Sequence, residues 1–358
     1  MLKSLVTFAV LGGSAAFACA QGGVTTYGVI DAGVVGQKGC AGTCATQVGS
    51  GLASESYVGI QGREPSGNVE AIFALESGVR VATGRRAPDD RVFGRQAYVG
   101  LAGEYGAVTV GRQYNLQYLA LTDVGDPFKG GMAGSASNLI GGGRRADNSV
   151  QYYGALRRGV SAGASYSFKE KVDTSPAGRA WGMTVGIEAG PLTVRAAHQN
   201  QNAVRVQLNS KTSNDTVARN SILAANLRLG WGTAYAAYSL SRGWGGSPLF
   251  NPDNPYAAAG LARTASSNSR DGLFGLAVPL GQGTTLLASY ICKDDRDLAN
   301  QDANQVALGA SHAISRRTDF YAAYSHIKNR NGARYTVGNA SERGSGNSAI
   351  NIGMRHAF

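Results

Sequence analysis

Most of this 358-residue chain is a succession of segments in which apolar and polar residues alternate. A period of two predicts β-strands with one apolar and one polar face. We predict sixteen strands, at Val24–Val35, Ser56–Gly62, Val69–Gly78, Gln96–Gly103, Ala107–Gln113, Ser149–Ala155, Val160–Phe168, Gly182–Glu188, Leu192–Gln199, Ser221–Leu229, Thr233–Ser241, Leu273–Leu280, Thr284–Cys292, Gln305–His312, Thr318–His326 and Ser348–Phe358. An even number of antiparallel strands returns both chain ends to the same side.

The connectors between these strands alternate in length. Short connectors such as Glu104–Gly106 and Gly281–Gly283 contrast with long ones such as Gly36–Glu55 and Tyr114–Asn148. Membrane barrels have tight turns at one end and long loops at the other, whereas a soluble β-sandwich has no reason to place every long loop at one end. The pattern predicts an all-β fold, a 16-stranded antiparallel transmembrane β-barrel that residues 21–358 form as one domain.

The last strand alternates up to the terminal phenylalanine. Ile350, Ile352, Met354 and Phe358 would share one face, which suits contact with lipid. A chain end in water tends to fray, so a terminal strand of this kind is unusual in a soluble domain. The alternative is an amphipathic edge strand of a soluble sheet.

The first twenty residues indicate export. Lys3 lies in a short charged start, residues 5–17 are largely apolar, and Ala18-Cys19-Ala20 forms a small-residue cleavage site before Gln21. We therefore predict a signal peptide at 1–20 and a place in the bacterial outer membrane. A lipid anchor on Cys19 is the alternative, but residues 16–18 are a poor context for it. The apolar stretch is also shorter than the roughly 20 residues that a spanning helix needs.

Composition bears on the expected partners. The chain has 51 glycines and 16 tyrosines, which suit closely packed strands and a membrane interface, respectively. Its net charge of +11, from 34 basic and 23 acidic residues, becomes +10 without Lys3. The arginines are spread among strands and loops with no aromatic-basic motif, so we expect a water-filled lumen, and no nucleic acid, to surround them.

Four ordered blocks resemble the general diffusion porins of betaproteobacteria, a Gram-negative porin family. The blocks are VTTYGVIDAG at 24–33, AIFALESG at 71–78, FGRQAYVGLAGEYGAVTVGRQ at 93–113 and IGMRHAF at 352–358. The resemblance runs from the first strand to the last. It implies a homotrimeric outer-membrane channel for small ions and solutes, with trimer contacts near residues 56–78 and a third external loop that folds into the lumen. It also implies contact with outer-membrane lipid and lipopolysaccharide, and recognition of Phe358 as an assembly signal by the barrel-insertion machinery.

The third long connector is the candidate pore constriction. It contains Asp123 and Asp126 and, after a glycine run, Arg144 and Arg145. A loop of this length is usually functional, although a solvated surface loop is the alternative. The resemblance places pore-lining arginines at Arg95 and Arg145, with Tyr57 at a third such position.

Two further features concern the wall arginines. Arg112 is another candidate for the constriction, but strict alternation puts Arg95 on the face of Val99, and Arg112 on the face of Val110. A bulge or a loop edge would have to turn them inward.

Arginines on the wall and aspartates on the loop would create a transverse field in a narrow aqueous passage, where screening is weaker than in bulk water. With the positive net charge, this arrangement predicts passive diffusion that favours small anions. If most of the positive charge lies instead on outer loops, for example at Arg205, Lys211, Arg219, Arg263 and Arg270, selectivity would be weak. The alternative function is an outer-membrane adhesin or receptor that acts through its long external loops.

No catalytic, cofactor or metal site is expected. The four histidines lie on separate predicted strands, without a nucleophile-elbow or His-Glu-x-x-His pattern. Cys40 and Cys44 in the first external loop could form a disulfide in an oxidising compartment, with free thiols or a metal site as alternatives. Cys292 is interpreted as a buried small apolar residue without a partner.

Overall fold

The computed structural model describes residues 23–88, 90–156, 159–168, 179–202, 207–208, 211–212, 217–243, 268–296, 300–342 and 344–358. The predicted signal peptide at 1–20 lies outside this part of the chain. Sixteen strands form the barrel wall: β1 Gly23–Lys38, β2 Tyr57–Ser66, β3 Val69–Arg80, β4 Gln96–Gly103, β5 Gly106–Tyr114, β6 Arg145–Ala155, β7 Val160–Ser167, β8 Ala180–Ala189, β9 Leu192–Asn202, β10 Val217–Leu229, β11 Gly232–Arg242, β12 Asn268–Leu280, β13 Thr284–Asp295, β14 Ala303–Ala313, β15 Thr318–Asn329 and β16 Ser348–Ala357. Each pairs antiparallel with the next along the chain.

The first strand closes the ring. Val29 is opposite Tyr57 of β2 and also opposite Ala357 of β16, so β1 joins the two ends of the sheet. The predicted barrel of sixteen strands is therefore confirmed. Most of the observed strands run a few residues beyond the predicted ones, because backbone pairing continues past the alternating pattern, whereas β4 has the predicted bounds and β7 and β16 each end one residue earlier. Among the described residues, no helix has the length and hydropathy of a membrane-spanning helix.

The two ends of the barrel differ as predicted. Seven tight connections join strands at the end of the barrel where β1 begins and β16 ends, at 67–68, 104–105, 156–159, 190–191, 230–231, 281–283 and 314–317. The longer connections join strand ends at the other end of the barrel, between residues 38 and 57, 80 and 96, 114 and 145, 167 and 180, 202 and 217, 242 and 268, 295 and 303, and 329 and 348. Short strands at Thr46–Ser50 and Arg85–Ala87 extend the wall at this second end by pairing with β1 and β3.

Side chains alternate between the lumen and the outside. On β8, Trp181, Met183, Val185 and Ile187 are exposed, and the residues between them are largely covered, so these four side chains form an outward row. The strands β2, β3 and β7 alternate in the same way. This surface is apolar on the outside of a closed sheet, which is the arrangement that a lipid environment requires.

The terminal phenylalanine fits against a glycine of the first strand. Phe358 and Gly28 exchange two backbone hydrogen bonds, of 3.1 and 3.2 Å. A Cβ atom on Gly28 would lie 2.6 Å from the Phe358 ring and 2.5 Å from the carbonyl oxygen of Tyr57. Contacts this short require the ring or the strand to move. Gly28 thus leaves the space in which the last residue completes the barrel seam.

We expect Gly28→Val to reduce the fraction of correctly folded barrel several-fold, because the added methyl groups displace the Phe358 ring and the β1–β2 ladder. The measurement is the heat-modifiable mobility of the detergent-purified protein on a denaturing gel. Gly23→Val is the matched control, since a Cβ on Gly23 meets no atom within 4 Å. Equal folded fractions for the two variants would contradict this account of the seam.

The structure joins Cys40 and Cys44 by a disulfide within the first long loop. The interpretation of Cys292 as buried is wrong. This residue is an exposed free cysteine on the outward face of β13, because its parity is that of Tyr290.

Candidate functional site

The third long loop, residues 115–144, lies against inward-facing side chains of the wall. It begins with helix α1, Leu116–Ala120, which Asn115 caps through its side chain. The side-chain amide of Asn115 donates to Gln199 of β9, and Asn226 of β10 donates to the carbonyl oxygen of Val124. Further on, the Asn138 amide donates to Gln305 of β14 at 2.9 Å. The loop therefore follows the inner wall from β9 to β14.

Asp126 organises this loop from within. Its carboxylate is completely buried and accepts backbone hydrogen bonds from Phe128, Gly130 and Ala136, each at 2.9 Å. Burial raises the pKa of Asp126 to about 6, although the three N–H groups work in the opposite direction. Asp126 thus shapes the loop and presents no carboxylate to the channel, which differs from its expected position opposite the arginines.

Because three buried N–H groups depend on one carboxylate, we expect Asp126→Ala to lower the free energy of unfolding by about 3 kcal/mol. Urea denaturation in detergent, followed by tryptophan fluorescence, measures this change. Asp123→Ala is the control, since Asp123 is exposed on the same loop and should cost well under about 1 kcal/mol. Equal losses for the two variants would contradict the role given to Asp126.

The surface that the loop presents to the lumen carries two opposite charges. Between Ala120 and Ile140, only Asp123 and Lys129 are exposed. The Asp123 carboxylate lies 3.6 Å from the guanidinium of Arg195, which points inward from β9 over the ring of Tyr153. Asp123 is therefore the predicted loop acid that does face the channel, with Arg195 as its partner.

Three arginines converge on a single glutamate at the wall. Arg95, Arg144 and Arg145 each form an ion pair with Glu55, and the Arg144 pair measures 3.1 Å. We call these four residues the arginine cluster. Sequence reasoning identified the arginines but missed Glu55.

Two tyrosine rings pack against guanidinium groups of the arginine cluster. The Arg95 guanidinium lies 4.1 Å from the centre of the Tyr57 ring, and that of Arg145 lies 4.7 Å from the centre of the Tyr114 ring. A tyrosine at position 57 thus supports the cluster through cation–π contacts.

Loop geometry brings Arg95 inward despite its parity. Arg95 directly precedes β4, and there β3 changes partner from β4 to the short strand 85–87. The Arg95 N–H donates to the carbonyl oxygen of Glu76, and its guanidinium lies 3.1 Å from the Glu76 carboxylate. Gln96 donates to the same carboxylate, so two consecutive side chains point inward. As expected, Arg95 points inward because it lies at the edge of a loop, although strict alternation would place it on the outward face.

Arg112 lies apart from the arginine cluster. The β5–β6 ladder shifts register between Gly111 and Gln113, which marks a bulge. The Arg112 guanidinium binds Asp147 at 2.5 Å and the carbonyl oxygen of Gly94 at 2.8 Å. These two contacts tie loop 81–95 to β6.

Asp31 of β1 explains why Glu55 lies inside the barrel. The buried Asp31 carboxylate accepts backbone hydrogen bonds from Leu52, Ala53 and Ser54, at 2.8 to 3.0 Å, and one from the Tyr321 hydroxyl at 2.5 Å. These bonds fold the end of the first loop into the lumen, immediately before Glu55.

Two other loops meet this inward-folded segment. The carbonyl oxygen of Leu52 accepts hydrogen bonds from Met132 of the third loop and from Ala340 of the last loop. The segment is therefore the meeting point of three loops, and the carboxylate that it carries is fixed in place.

Ionic contacts keep the Glu55 carboxylate charged. Burial alone would raise its pKa, but the positive charges of Arg145, Arg95 and Arg144 outweigh this effect and hold the pKa of Glu55 at about 2. A cavity of about 510 Å³ lies beside the cluster, and its lining includes Arg80, Arg95 and Glu342. Aqueous space thus reaches the charged wall.

Formal charges around the third loop sum to a positive value. Five basic side chains face four acidic ones there, a formal difference of +1: Arg95, Arg144, Arg145, Arg195 and Lys129 against Glu55, Glu76, Asp123 and Asp126. In the part of the chain that the structure describes, no group of His, Cys, Asp and Glu could hold a metal ion.

The four histidines are wall residues of the outward face. Each shares a hydrogen bond with a hydroxyl group of the neighbouring strand, at 2.7 to 2.9 Å: His198 with Ser221, His312 with Thr284, His326 with Ser348, and His356 with Thr318. The repetition of one cross-strand pair at four places indicates a packing role.

Two comparisons concern solved structures. The chain superposes on an anion-selective porin from Comamonas acidovorans with a TM-score of 0.75 at 24% identity, covering 94% of this chain and 100% of that one. It superposes on OmpF of Salmonella typhi in complex with daunomycin with a TM-score of 0.65 at 17% identity, covering 94% of this chain and 97% of that one. At these identities the likeness shows a shared fold.

Sequence comparisons reach further. The chain is 28% identical over 403 residues to an outer membrane porin protein of Bordetella pertussis, and 28% identical over 378 residues to outer membrane porin protein 32 of Delftia acidovorans, with full coverage of both partners in each case. Residues 7–332 match the family model described as Gram-negative porin. The family model thus covers most of a chain that forms a closed sixteen-stranded barrel with an apolar outer face and a charged lumen. The chain belongs to the Gram-negative porins, the diffusion channels of the outer membrane.

Proposed function

We propose that this porin passes small hydrophilic solutes passively and favours anions. The observation that supports the preference is the arginine cluster, in which three guanidinium groups share one internal carboxylate, Glu55. The formal net charge of +1 around the third loop acts in an aqueous passage between protein walls, where screening is weaker than in bulk water. An anion is attracted to this region and a cation is repelled.

Glu55 gives the arginine cluster a further property. Conduction requires that an ion bind well enough to enter but weakly enough to leave. A guanidinium fork that is already paired with Glu55 has fewer donors left for a passing carboxylate or chloride. We infer that Glu55 limits the affinity of the arginine cluster for anions, so that anions are favoured but still leave the site. The anion-selective porin of Comamonas acidovorans has the same fold.

Planar-bilayer recording tests the channel function. We expect the purified protein to give discrete conductance steps in potassium chloride without any added ligand, and liposomes that contain it to swell in a small neutral sugar. An adhesin or receptor barrel that acts through its external loops would give neither result. Silent bilayers from correctly folded protein would contradict a general diffusion channel.

The proposal includes assembly as a homotrimer through β1 to β3. The outward face there carries Val58, Ile60 and Val69, and three copies could cover it with closed symmetry. Native mass spectrometry of the detergent-solubilised protein should give the mass of three chains. A stable monomer under conditions that preserve the folded barrel would contradict this part of the proposal.

Export and insertion complete the proposal. We infer that cleavage after Ala20 releases a mature chain that begins at Gln21, and that the insertion machinery recognises Phe358. N-terminal sequencing of outer-membrane material checks the cleavage site. Deletion of Phe358 should lower the amount of inserted protein without changing export, and unchanged insertion would count against recognition of this residue.

A further inference from the structure

Two arginines face each other on the outward surface near the long-loop rim. Arg219 of β10 is directly opposite Arg242 of β11, and both side chains are exposed. They have the outward parity of Leu223 and Leu240. Like charges directly opposite each other destabilise a sheet. Among the described residues, no carboxylate forms an ion pair with either arginine, so the pair lacks an anionic partner there.

An apolar groove lies next to this arginine pair. Its volume is about 340 Å³, and its lining includes Met183, Val185, Ala196, Leu223, Tyr238 and Leu240. All six side chains have outward parity on β8 to β11. Ala196 leaves the depression that the larger side chains surround. A groove of this kind on the membrane-facing surface can hold a hydrocarbon chain.

The arginines, a polar pair and the groove follow one another along the strands. From the rim toward the tight turns, β10 presents Arg219, Ser221 and Leu223, spaced by about 7 Å. The Ser221 hydroxyl lies 2.7 Å from the His198 imidazole, which is itself 5.1 Å from the ring of Trp181. Positive charge, neutral polar groups and apolar surface thus occur in that order.

We propose that this surface binds a phosphorylated membrane lipid. The phosphate is held by Arg219 and Arg242, the ester or amide linkage lies beside His198 and Ser221, and an acyl chain fills the groove. The order of these groups along a lipid matches the order on the strands, and the anionic phosphate relieves the repulsion between the two arginines. Because the long loops are at the external end of a porin, the lipid belongs to the outer leaflet.

The position in the ring favours lipid over a second copy of the chain. The groove lies on β8 to β11, and β1 to β3, which we propose as the trimer contact, lie on the other side of the closed ring of sixteen strands. In a trimer formed through β1 to β3, the groove faces the membrane.

Native mass spectrometry of the detergent-solubilised full chain tests the site, with dioleoyl phosphatidic acid as the probe. We expect Arg219→Gln combined with Arg242→Gln to weaken binding about thirtyfold. Ala196→Phe, which fills the groove, should weaken binding about tenfold while leaving both arginines in place. Dioleoylglycerol, which lacks the phosphate, and inorganic phosphate, which lacks the chains, should each bind much more weakly than phosphatidic acid.

Matched variants control for charge and bulk. Arg316→Gln combined with Arg317→Gln removes two exposed arginines at the opposite rim, and Ala322→Phe adds the same ring to the outward face of β15. Both should bind the probe like the wild type.

Three results would overturn the proposal: unchanged binding in the double arginine variant, equal losses in the control and test variants, or a groove occupied by a second protein chain that Ala196→Phe releases. Heat-modifiable mobility and unaltered single-channel conductance establish that each variant is folded.

Discussion

Replacing Glu55 by glutamine should make the channel several-fold more selective for anions. The substitution keeps the shape of the side chain but removes the one carboxylate that Arg95, Arg144 and Arg145 share. A unit charge at about 4 Å is worth about 1 kcal/mol even in water, and the same change attracts anions and repels cations. We therefore expect the ratio of anion to cation permeability to rise roughly tenfold.

Zero-current potentials across a potassium chloride gradient give this ratio for the wild type and the Glu55→Gln channel. Glu104→Gln is the matched control, because Glu104 is exposed in a tight turn at the opposite end of the barrel and its loss should leave the ratio unchanged. A lower or unaltered anion preference in Glu55→Gln would mean that the arginine cluster does not act on the permeating ions.

The pH dependence of the same comparison tests the ionisation state of Glu55. Its pKa is held at about 2, so the carboxylate stays charged at pH 4 and the difference between wild type and Glu55→Gln should be constant from pH 7 to pH 4. A glutamate with an ordinary pKa of about 4.3 would be more than half protonated at pH 4, and the difference would shrink.

The depressed pKa of Glu55 also sets a stability window. A carboxylate whose pKa is lower in the folded state stabilises that state above the unfolded pKa, and this contribution is lost only as the pH falls toward about 2. Acidification to pH 4 should therefore leave most of the ionic contribution of Glu55 in place.

Asp31→Ala should disrupt the internal loops while the wall remains closed. It removes the acceptor of four hydrogen bonds, three of them buried, from the N–H groups of Leu52, Ala53 and Ser54 and from the Tyr321 hydroxyl. Buried donors without a partner cost about 1 to 3 kcal/mol each before the loop rearranges, so we expect the free energy of unfolding to fall by about 4 kcal/mol. The segment that carries Glu55 would leave the lumen, and contacts with the third and last loops would be lost with it.

Two measurements check this prediction. Urea denaturation in detergent gives the loss of stability, and single-channel recording should show larger and noisier conductance steps than the wild type. Tyr321→Phe is the control, because it removes one of the four hydrogen bonds and preserves the ring, so its effect should be about a third as large. A quiet channel of wild-type conductance in Asp31→Ala would show that the first loop folds inward without this anchor.

The strands could be predicted from the sequence because a wall between water and lipid imposes a period of two on every segment. The outward row on β8 and the alternation of loop lengths follow from that constraint alone. Rim positions were less predictable. Arg95 points inward because β3 changes partner at that position, and strand parity does not encode such an exchange.

The roles of individual loop residues could not be predicted from the alternating pattern. Asp126 and Glu55 are both acidic residues in long loops, yet backbone N–H groups bury the first, and three arginines surround the second. Only contacts between segments distant in sequence separate these roles. A signal for Glu55 did exist in part. Asp31 is an acid on the inward face of β1, and such a residue needs donors, which the loop before Glu55 supplies.

The most direct test of the account is the sign of the zero-current potential of the wild-type channel in a tenfold gradient of potassium chloride. A net positive passage built on Arg95, Arg144 and Arg145 predicts a potential displaced toward the equilibrium value of chloride. A potential displaced toward that of potassium would contradict it, because the charges that the structure brings together around the third loop would then not govern what passes.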